Sequence, residues 1–254
     1  MSGMSYGLEE KVVVVTGGSR GIGLEMARCF LAQGAKVVIC GRKEDNLKAA
    51  AGILNGGERL LTVAAHVAKE VDVDSLFETT VSQFGGVDVL VSNVGMNLLT
   101  TSVTDTELPV WNKIIEGNLT GTFLCARRAA RIMREKKRGK IICISSIAGS
   151  RAAPAMGIYG VAKAGVEMLT KVLAAELAPC NIQVNAVAPG MVRTDFSKPF
   201  WSTPAIHDQI VKAIPAGRIA ETADLCPIVL LLASGQADYI TGQTITVDGG
   251  ASAI

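Results

Sequence analysis

The sequence lacks the segments that direct a chain into or across a membrane. No apolar run is long enough to span a bilayer, and no apolar signal region follows the N-terminal Met-Ser-Gly-Met-Ser-Tyr-Gly. The C-terminal Ala-Ser-Ala-Ile is not a peroxisomal address. We therefore expect a soluble, cytoplasmic protein with no membrane partner.

The six cysteines include no Cys-x-x-Cys pair, so the usual sequence signature of a zinc site is missing. Most of them lie in apolar patterns, where a cysteine behaves as a small core residue. We predict reduced cysteines, with neither a disulfide nor a metal site. They are Cys29, Cys40, Cys125, Cys143, Cys180 and Cys226.

A strong charge imbalance is also absent, because the formal net charge is only +2. The densest basic stretch, 127–138, comes at the end of a helical pattern, where cations interact favourably with the helix dipole. We interpret this stretch as a solvated helix end and expect no nucleic-acid partner.

The 254 residues, 49% of them apolar, contain seven strand-like runs that alternate with helical patterns. This alternation is typical of βαβ units and predicts an α/β fold, a doubly wound parallel sheet with helices on both faces. No linker or repeat divides the chain, so we predict one domain over residues 1–254. The predicted strands are 11–15, 36–40, 60–65, 88–92, 140–145, 182–187 and 243–247, and the predicted helices are 21–33, 43–54, 70–84, 107–134, 158–178 and 222–234.

The stretch 190–220 has no regular pattern and contains prolines around Phe196, Phe200 and Trp201. It follows the carboxyl end of a predicted strand, where ligands bind in α/β proteins. We predict a substrate lid, because apolar aromatic side chains are unsuited to a merely solvated loop.

A glycine-rich turn follows the first predicted strand. The apolar run 11–15 leads into Thr16-Gly17-Gly18-Ser19-Arg20-Gly21-Ile22-Gly23, and a helical pattern comes directly afterwards. Strand, glycine turn and helix in this order are typical of a dinucleotide site, because the glycines let backbone approach a pyrophosphate at the helix N-terminus.

The end of the second predicted strand indicates which nicotinamide cofactor is bound. NAD enzymes usually carry Asp or Glu there, which accepts a hydrogen bond from the ribose 2′-hydroxyl. This chain has Gly41 followed by Arg42, and Arg20 in the glycine turn adds a second cation. Guanidinium groups bind phosphate through charge-assisted hydrogen bonds. We therefore predict NADP(H).

Tyr159 and Lys163 stand four residues apart, and Ser146 lies thirteen residues before Tyr159. On a helix, residues i and i+4 share a face, so the phenol and the ammonium group lie side by side. A nearby cation favours the phenolate and is expected to lower the pKa of the tyrosine. The pair is therefore a candidate acid–base unit.

Together with Asn118 and Pro189-Gly190, these motifs resemble the short-chain dehydrogenase/reductase family, over nearly the whole chain. The segment 196–201 and Ser92-Asn93-Val94-Gly95 are similar to the dehydrogenase/reductase member 4 carbonyl reductases. The resemblance implies a Rossmann-type domain and a set of cofactor contacts. Those contacts are Gly17, Ser19, Arg20, Gly21, Ile22, Gly23, Arg42, His66, Val67, Asn93, Gly95, Tyr159, Lys163, Pro189, Gly190, Val192 and Thr194.

The resemblance also implies a role for each catalytic residue. Tyr159 donates a proton to the substrate carbonyl, and Ser146 orients that carbonyl. Lys163 lowers the pKa of Tyr159 and holds the nicotinamide ribose. Asn118 kinks the long helix and holds a water that links Lys163 to solvent. Asn93 ties the central strands together.

One position departs from the family pattern. The Asp that usually ends the third strand and contacts the adenine is replaced by His66, which leaves that contact open. His207, in the predicted lid, is interpreted as a surface residue.

These residues predict NADPH-dependent, reversible reduction of a ketone or aldehyde. Met96, Met156 and Met191 near the predicted mouth indicate a fairly apolar substrate. The first alternative is a 3-oxoacyl-carrier-protein reductase, with Lys137 as a contact to the acidic carrier, although Pro179-Cys180 replaces a basic residue that those enzymes often carry. The second alternative is an NADP-binding scaffold without turnover.

Two long helical patterns, 107–134 and 158–178, carry apolar stripes. Members of the family pair these helices across a two-fold axis, and many use the segment 239–254 for a second contact. We therefore expect a homotetramer, the alternative being that the stripes pack only on their own sheet. The stripe residues are Ala126, Ala129, Ala130 and Met133 on the first helix, and Val166, Leu169, Leu173 and Leu177 on the second.

Overall fold

The computed structural model describes residues 6–153 and 155–253. Within them, parallel strands form one sheet, and we number these strands β1 to β7 along the chain. They are Val12–Thr16, Lys36–Gly41, Leu60–Ala64, Val89–Ser92, Gly139–Ile144, Ile182–Pro189 and Thr244–Val247. Their order across the sheet is β3-β2-β1-β4-β5-β6-β7. The order reverses between β1 and β4, where doubly wound sheets open a ligand crevice.

The strands form where the sequence has short β-branched runs. Every residue of β1, β4, β5 and β6 is buried, as expected for a parallel sheet that is covered on both faces. All seven predicted strands are present, with ends displaced by no more than two residues. The predicted α/β fold class, a doubly wound seven-stranded parallel sheet, is confirmed.

The helices are numbered α1 to α9 along the chain. They are Gly21–Ala32, Glu44–Leu54, Glu70–Phe84, Leu108–Ile115, Gly121–Lys136, Gly157–Leu177, Lys198–Trp201, Pro204–Lys212 and Cys226–Ala233. Helices α1, α2 and α9 contribute to the core on one face of the sheet, and α3, α5 and α6 to the core on the other. Among residues 6–153 and 155–253, no helix is both long and apolar enough to cross a membrane.

Two predicted segments differ from the structure. The single helix predicted at 107–134 is α4 and α5, which a π-helical turn at Glu116–Thr120 joins. The stretch 190–220, predicted to be irregular, contains α7 and α8. Pro199 and Pro204 lie in the first two positions of these helices, where proline is tolerated because its missing N–H has no helical partner there.

The prediction that all cysteines are reduced is wrong for one pair. Cys29 of α1 and Cys226 of α9 form a disulfide, and their Cα atoms lie 6.5 Å apart, within the range that a bridge requires. Sequence spacing does not reveal the pair, because 197 residues separate its members and only the packing of α1 and α9 on one sheet face brings them together. Cys40, Cys125, Cys143 and Cys180 are free, as predicted.

The disulfide lies beside an acidic side chain. The carboxylate of Glu25 and the two sulfur atoms all lie within 4.8 Å of one another, which is the spacing of metal ligands. Because both sulfur atoms are bonded to each other, they are not available as thiolate ligands.

Most residues of the apolar stripes on the two long helices lie inside the subunit. Ala129 and Met133 of α5, and Val166 of α6, are completely buried in the core beneath the sheet. Six of the eight stripe residues are thus buried within the subunit, whereas Leu169 and Leu173 keep some exposed surface. Other apolar side chains of α5 and α6 are exposed, at 40% for Phe123 and 59% for Met168.

Candidate active site

A cavity of about 790 Å³ opens at the carboxyl ends of the strands, where the strand order reverses. The glycine turn, the ends of β2 to β6, the start of α6 and the segment 190–214 all contribute to its wall. Of the predicted site residues, Gly23 and Asn118 are not part of the wall, and the others line it. The lining set is Gly17, Ser19, Arg20, Gly21, Ile22, Arg42, His66, Val67, Asn93, Gly95, Ser146, Tyr159, Lys163, Pro189, Gly190, Val192 and Thr194.

The glycine turn brings backbone to the cavity wall. Gly17 has φ of +66°, in the left-handed region that a side chain disfavours. A Cβ atom on Gly23 would collide with the carbonyl of Gly17 and the side chain of Asn93. Gly23 therefore supports the turn by close packing and does not contact the cavity itself.

Asn93 connects the two strands at the reversal point. Its Nδ2 donates to the carbonyl oxygen of Thr16 at 3.0 Å, and its backbone N–H donates to Oγ1 of Thr16 at 2.9 Å. The predicted tie between β1 and β4 is thus present.

The cavity wall near the end of β2 is cationic. Arg20, Arg42 and Lys43 line it, and within 6–153 and 155–253 no carboxylate lies within 4.0 Å of their charged nitrogens. Gly41 adds no charge, and a Cβ atom there would lie 3.4 Å from Oγ of Ser19. A cationic wall without a neighbouring acid fits a cofactor that carries a 2′-phosphate.

His66 lies partly buried on the wall after β3, and its backbone N–H donates to Asp72 Oδ2 at 2.9 Å. Its Nδ1 accepts from the backbone N–H of Ala68 at 3.3 Å, so a neutral ring carries its proton on Nε2. That proton is a donor available to a ligand, while the adenine contact itself stays a prediction. Val67, next along the chain, is buried.

Tyr159, Lys163 and Ser146 come together at the start of α6. Tyr159 is 7% exposed, and the side chain of Ser146 lies near enough to its hydroxyl to favour the ionised form. Lys163 is 2% exposed, and its Nζ lies 5.5 Å from the centroid of the Tyr159 ring and donates to the carbonyl of Ile144 at 2.8 Å. A lysine ammonium has three donors, so two remain for a ligand or a water.

Burial controls the acidity of this pair. It raises the pKa of Tyr159 to about 12, and the nearby side chain of Ser146 opposes the rise. Burial also lowers the pKa of Lys163 to about 8. The predicted lowering of the Tyr159 pKa by Lys163 is therefore not met in this structure, because loss of hydration outweighs any effect of the neighbouring cation.

Asn118 is fully buried in the π-helical turn at Glu116–Thr120. Its Nδ2 donates to the carbonyl of Met96 at 2.8 Å, and its Oδ1 accepts from the Met96 N–H at 3.2 Å. The predicted kink is thus a π turn. A Cβ atom on Gly95 would lie 3.3 Å from Oδ1 of Asn118 and 3.5 Å from Nζ of Lys163, so these two groups flank one small space.

Part of the cavity wall is apolar. Met96, Met156 and Met191 line the cavity, as predicted. The rings of Phe196 and Tyr159 lie 5.9 Å apart between centroids, so the predicted lid contacts the predicted acid. Trp201 is not part of the wall. His207, which pairs with Asp208, is not part of it either.

The wall also includes residues that the sequence did not single out as site residues. Lys113 and Arg151 line the cavity, and Arg151 Nη1 donates to the carbonyl of Ala251 at 2.6 Å. No motif marks either residue.

Glu167 lies outside the cavity wall but next to the site, since it accepts a hydrogen bond from Ser145 at 2.9 Å. The sequence does carry a signal for it, because its spacing of i+4 from Lys163 places it on the same face of the helix.

The chain matches known proteins over nearly its whole length. The family model described as Enoyl-(Acyl carrier protein) reductase matches residues 17–252. Dehydrogenase/reductase SDR family member 4 of Bos taurus is 38% identical over 96% of this chain and 88% of its own. A 3-oxoacyl-[acyl-carrier-protein] reductase of Synechocystis sp. is 40% identical over 96% of this chain and 97% of its own.

Solved structures have the same fold. A gluconate 5-dehydrogenase from Burkholderia cenocepacia J2315, in complex with NADP and tartrate, has a TM-score of 0.93 at 32% identity and covers 98% of both chains. A putative gluconate dehydrogenase from Agrobacterium tumefaciens has a TM-score of 0.94 at 32% identity and covers 99% of both chains. The chain therefore belongs to the short-chain dehydrogenase/reductase family of oxidoreductases, which use nicotinamide cofactors.

Proposed function

We propose that the protein is an NADPH-dependent reductase of a small, fairly apolar ketone or aldehyde, and that the reaction is reversible. The observation that carries the proposal is the meeting of Ser146, Tyr159 and Lys163 on one cavity wall that also carries apolar side chains. The cations Arg20 and Arg42, which have no carboxylate partner within 6–153 and 155–253, support NADPH over NADH. The NADP bound by the similar gluconate 5-dehydrogenase supports the same choice.

The proton comes from Tyr159. Because burial raises its pKa to about 12, the phenol is protonated at neutral pH and acts as the general acid of the reduction. The hydroxyl of Ser146 contacts Tyr159, so a carbonyl oxygen placed between them receives two hydrogen bonds. NADPH, when bound, would supply the hydride that the carbonyl carbon accepts.

Lys163 and Asn118 border the route by which a proton from solvent would replace the one that Tyr159 gives away. At neutral pH Lys163 is mostly an ammonium group, since burial lowers its pKa only to about 8. Its Nζ donates a hydrogen bond to the carbonyl of Ile144, and both Nζ and Asn118 Oδ1 border the space beside Gly95. A ribose hydroxyl and a water in that space would complete a relay to solvent.

The second candidate is a 3-oxoacyl-carrier-protein reductase, which the similarity to the Synechocystis enzyme supports. The position of Lys137 does not favour it. Lys137 follows α5 and precedes β5, at the sheet edge opposite the cavity, so within one subunit it does not reach the mouth. A scaffold without turnover is the third candidate, and the assembled acid–base residues argue against it.

A substrate panel with NADPH, followed at the nicotinamide absorbance, separates these candidates. We expect the highest kcat/KM with apolar ketones or aldehydes. The panel includes a 3-oxoacyl thioester, and gluconate as an alcohol substrate with NADP. Preference for the thioester would overturn the first proposal in favour of the second, and no turnover of any compound would support the scaffold.

We also propose that four copies assemble. The side chains of Phe123, Met168 and Val172 on α5 and α6 are 40%, 59% and 45% exposed. Apolar groups clustered on two helices favour contact with another copy. Strand β7 is the last strand of the sheet, and such an edge is available for a second two-fold contact near the C-terminus.

Light scattering behind a sizing column tests the assembly. We expect a mass fourfold that of the 26.5 kDa chain. Met168→Asp should lower the mass, because it places a charge in the proposed interface. Ile53→Asp is the matched control and should leave the mass unchanged, because Ile53 is an apolar side chain of α2 with a similar exposure of 58%. A mass near 26.5 kDa for the unaltered chain would overturn the proposal.

A further inference from the structure

One face of α6 contacts three successive residues at the end of β5. The helix residues Tyr159, Lys163 and Glu167 stand at i, i+4 and i+8, one above another on one side. Their partners are residues 144–146. The contacts are Lys163 Nζ to the carbonyl of Ile144, Glu167 Oε1 to the hydroxyl of Ser145, and Tyr159 to the side chain of Ser146.

Glu167 contacts the chain on both sides of Ser146. Before it, the buried hydroxyl of Ser145 donates to Glu167 Oε1 at 2.9 Å. The alternative acceptor of that proton, the carbonyl of Lys163, is farther away at 3.3 Å. After Ser146, the same carboxylate oxygen packs against the backbone of Gly149, where an added Cβ atom would lie 2.7 Å from it.

Ser146 depends on this support. Its own hydroxyl accepts from the N–H of Ala148 at 3.1 Å and also contacts Tyr159. A small displacement of the strand end therefore moves the hydroxyl away from Tyr159, and misplacement of this kind is costly to catalysis.

We propose that Glu167 is a positioning residue that fixes the Ser146 hydroxyl relative to Tyr159. The inference rests on the proposed function of Ser146 as the group that orients the substrate carbonyl. Glu167 does not line the cavity, so its proposed effect passes through Ser145 and Ser146.

The first test measures kcat, KM for the carbonyl substrate and NADPH affinity in Glu167→Ala. Loss of a hydrogen bond to a charged acceptor predicts a fall of about 10-fold in kcat with NADPH affinity unchanged. Glu167→Gln keeps an acceptor oxygen and should restore most of kcat. Glu176→Ala removes an exposed carboxylate from the same helix and serves as the control. Equal losses in the Ala and Gln variants, or none in either, would overturn the proposal.

The second test asks whether Glu167 acts through Ser146. In a Ser146→Ala background, Glu167→Ala should change kcat by less than about 2-fold, since residues that act as a unit are not additive. If Glu167→Ala lowers kcat in the Ser146→Ala background as much as it does in the unaltered enzyme, Glu167 has a merely structural role and the proposal is overturned. If Glu167→Ala does not fold, Ser145→Ala removes the same hydrogen bond from the other side. If Ser146→Ala alone leaves kcat unchanged, the proposed function of Ser146 is overturned as well. If Ser146→Ala lowers kcat and Glu167→Ala does not, only the role proposed for Glu167 is overturned.

Discussion

Tyr159→Phe is expected to abolish turnover while NADPH binding stays nearly intact. The substitution keeps the ring that packs 5.9 Å from Phe196 and removes only the hydroxyl. General acid catalysis contributes about 10²- to 10⁴-fold, so the residual kcat should be lower by at least about that factor. Steady-state rates and a fluorescence titration of NADPH measure the two quantities separately.

Two further variants show whether the loss of turnover in Tyr159→Phe is due to the missing proton donor. Lys163→Ala should reduce both kcat and NADPH affinity, because the ammonium group faces the acid and the predicted ribose site. Tyr6→Phe removes a phenol hydroxyl from a residue that does not line the cavity and should leave both quantities unchanged. Substantial turnover by the Tyr159→Phe variant would mean that another group donates the proton.

The sheet was predictable because its signals are local. A run such as residues 12–16 is too apolar and β-branched for anything except a buried strand, and in the structure every one of its residues is buried. The glycine turn and the spacing of Tyr159 and Lys163 are local signals of the same kind. Parallel topology then brings the strand ends to one edge, which places these local motifs around one cavity.

Features that depend on packing between distant segments were not predictable. The bridge from Cys29 to Cys226 results from two helices meeting on one face of the sheet. Burial of Ala129 is likewise decided by the sheet above it, since a stripe of apolar residues does not show whether its partner is the same subunit or another. The pKa of Tyr159 depends on hydration, which a sequence does not display.

We expect the charge of the cavity wall to decide whether the protein prefers NADPH or NADH. Arg20 and Arg42 line the cavity near the end of β2 without a carboxylate partner in 6–153 or 155–253. An NADPH phosphate would gain charge-assisted hydrogen bonds there that NADH lacks. Gly41 has an ordinary backbone conformation, and a Cβ atom on it would meet nothing closer than Oγ of Ser19 at 3.4 Å, so an aspartate fits at that position.

We therefore expect the unaltered enzyme to have a higher kcat/KM with NADPH than with NADH, and Gly41→Asp with Arg42→Ala to reverse the order. Each lost contact to a charged group costs about 1.5–3 kcal/mol, which is about 10- to 150-fold, and the new carboxylate repels the phosphate while accepting a hydrogen bond from the ribose hydroxyl of NADH. Lys48→Gln removes a cation from an exposed position of α2 that does not line the cavity, and it should not change the ratio. Equal use of both cofactors by the unaltered enzyme would contradict the prediction, because the cationic wall would then contribute nothing to the choice between them.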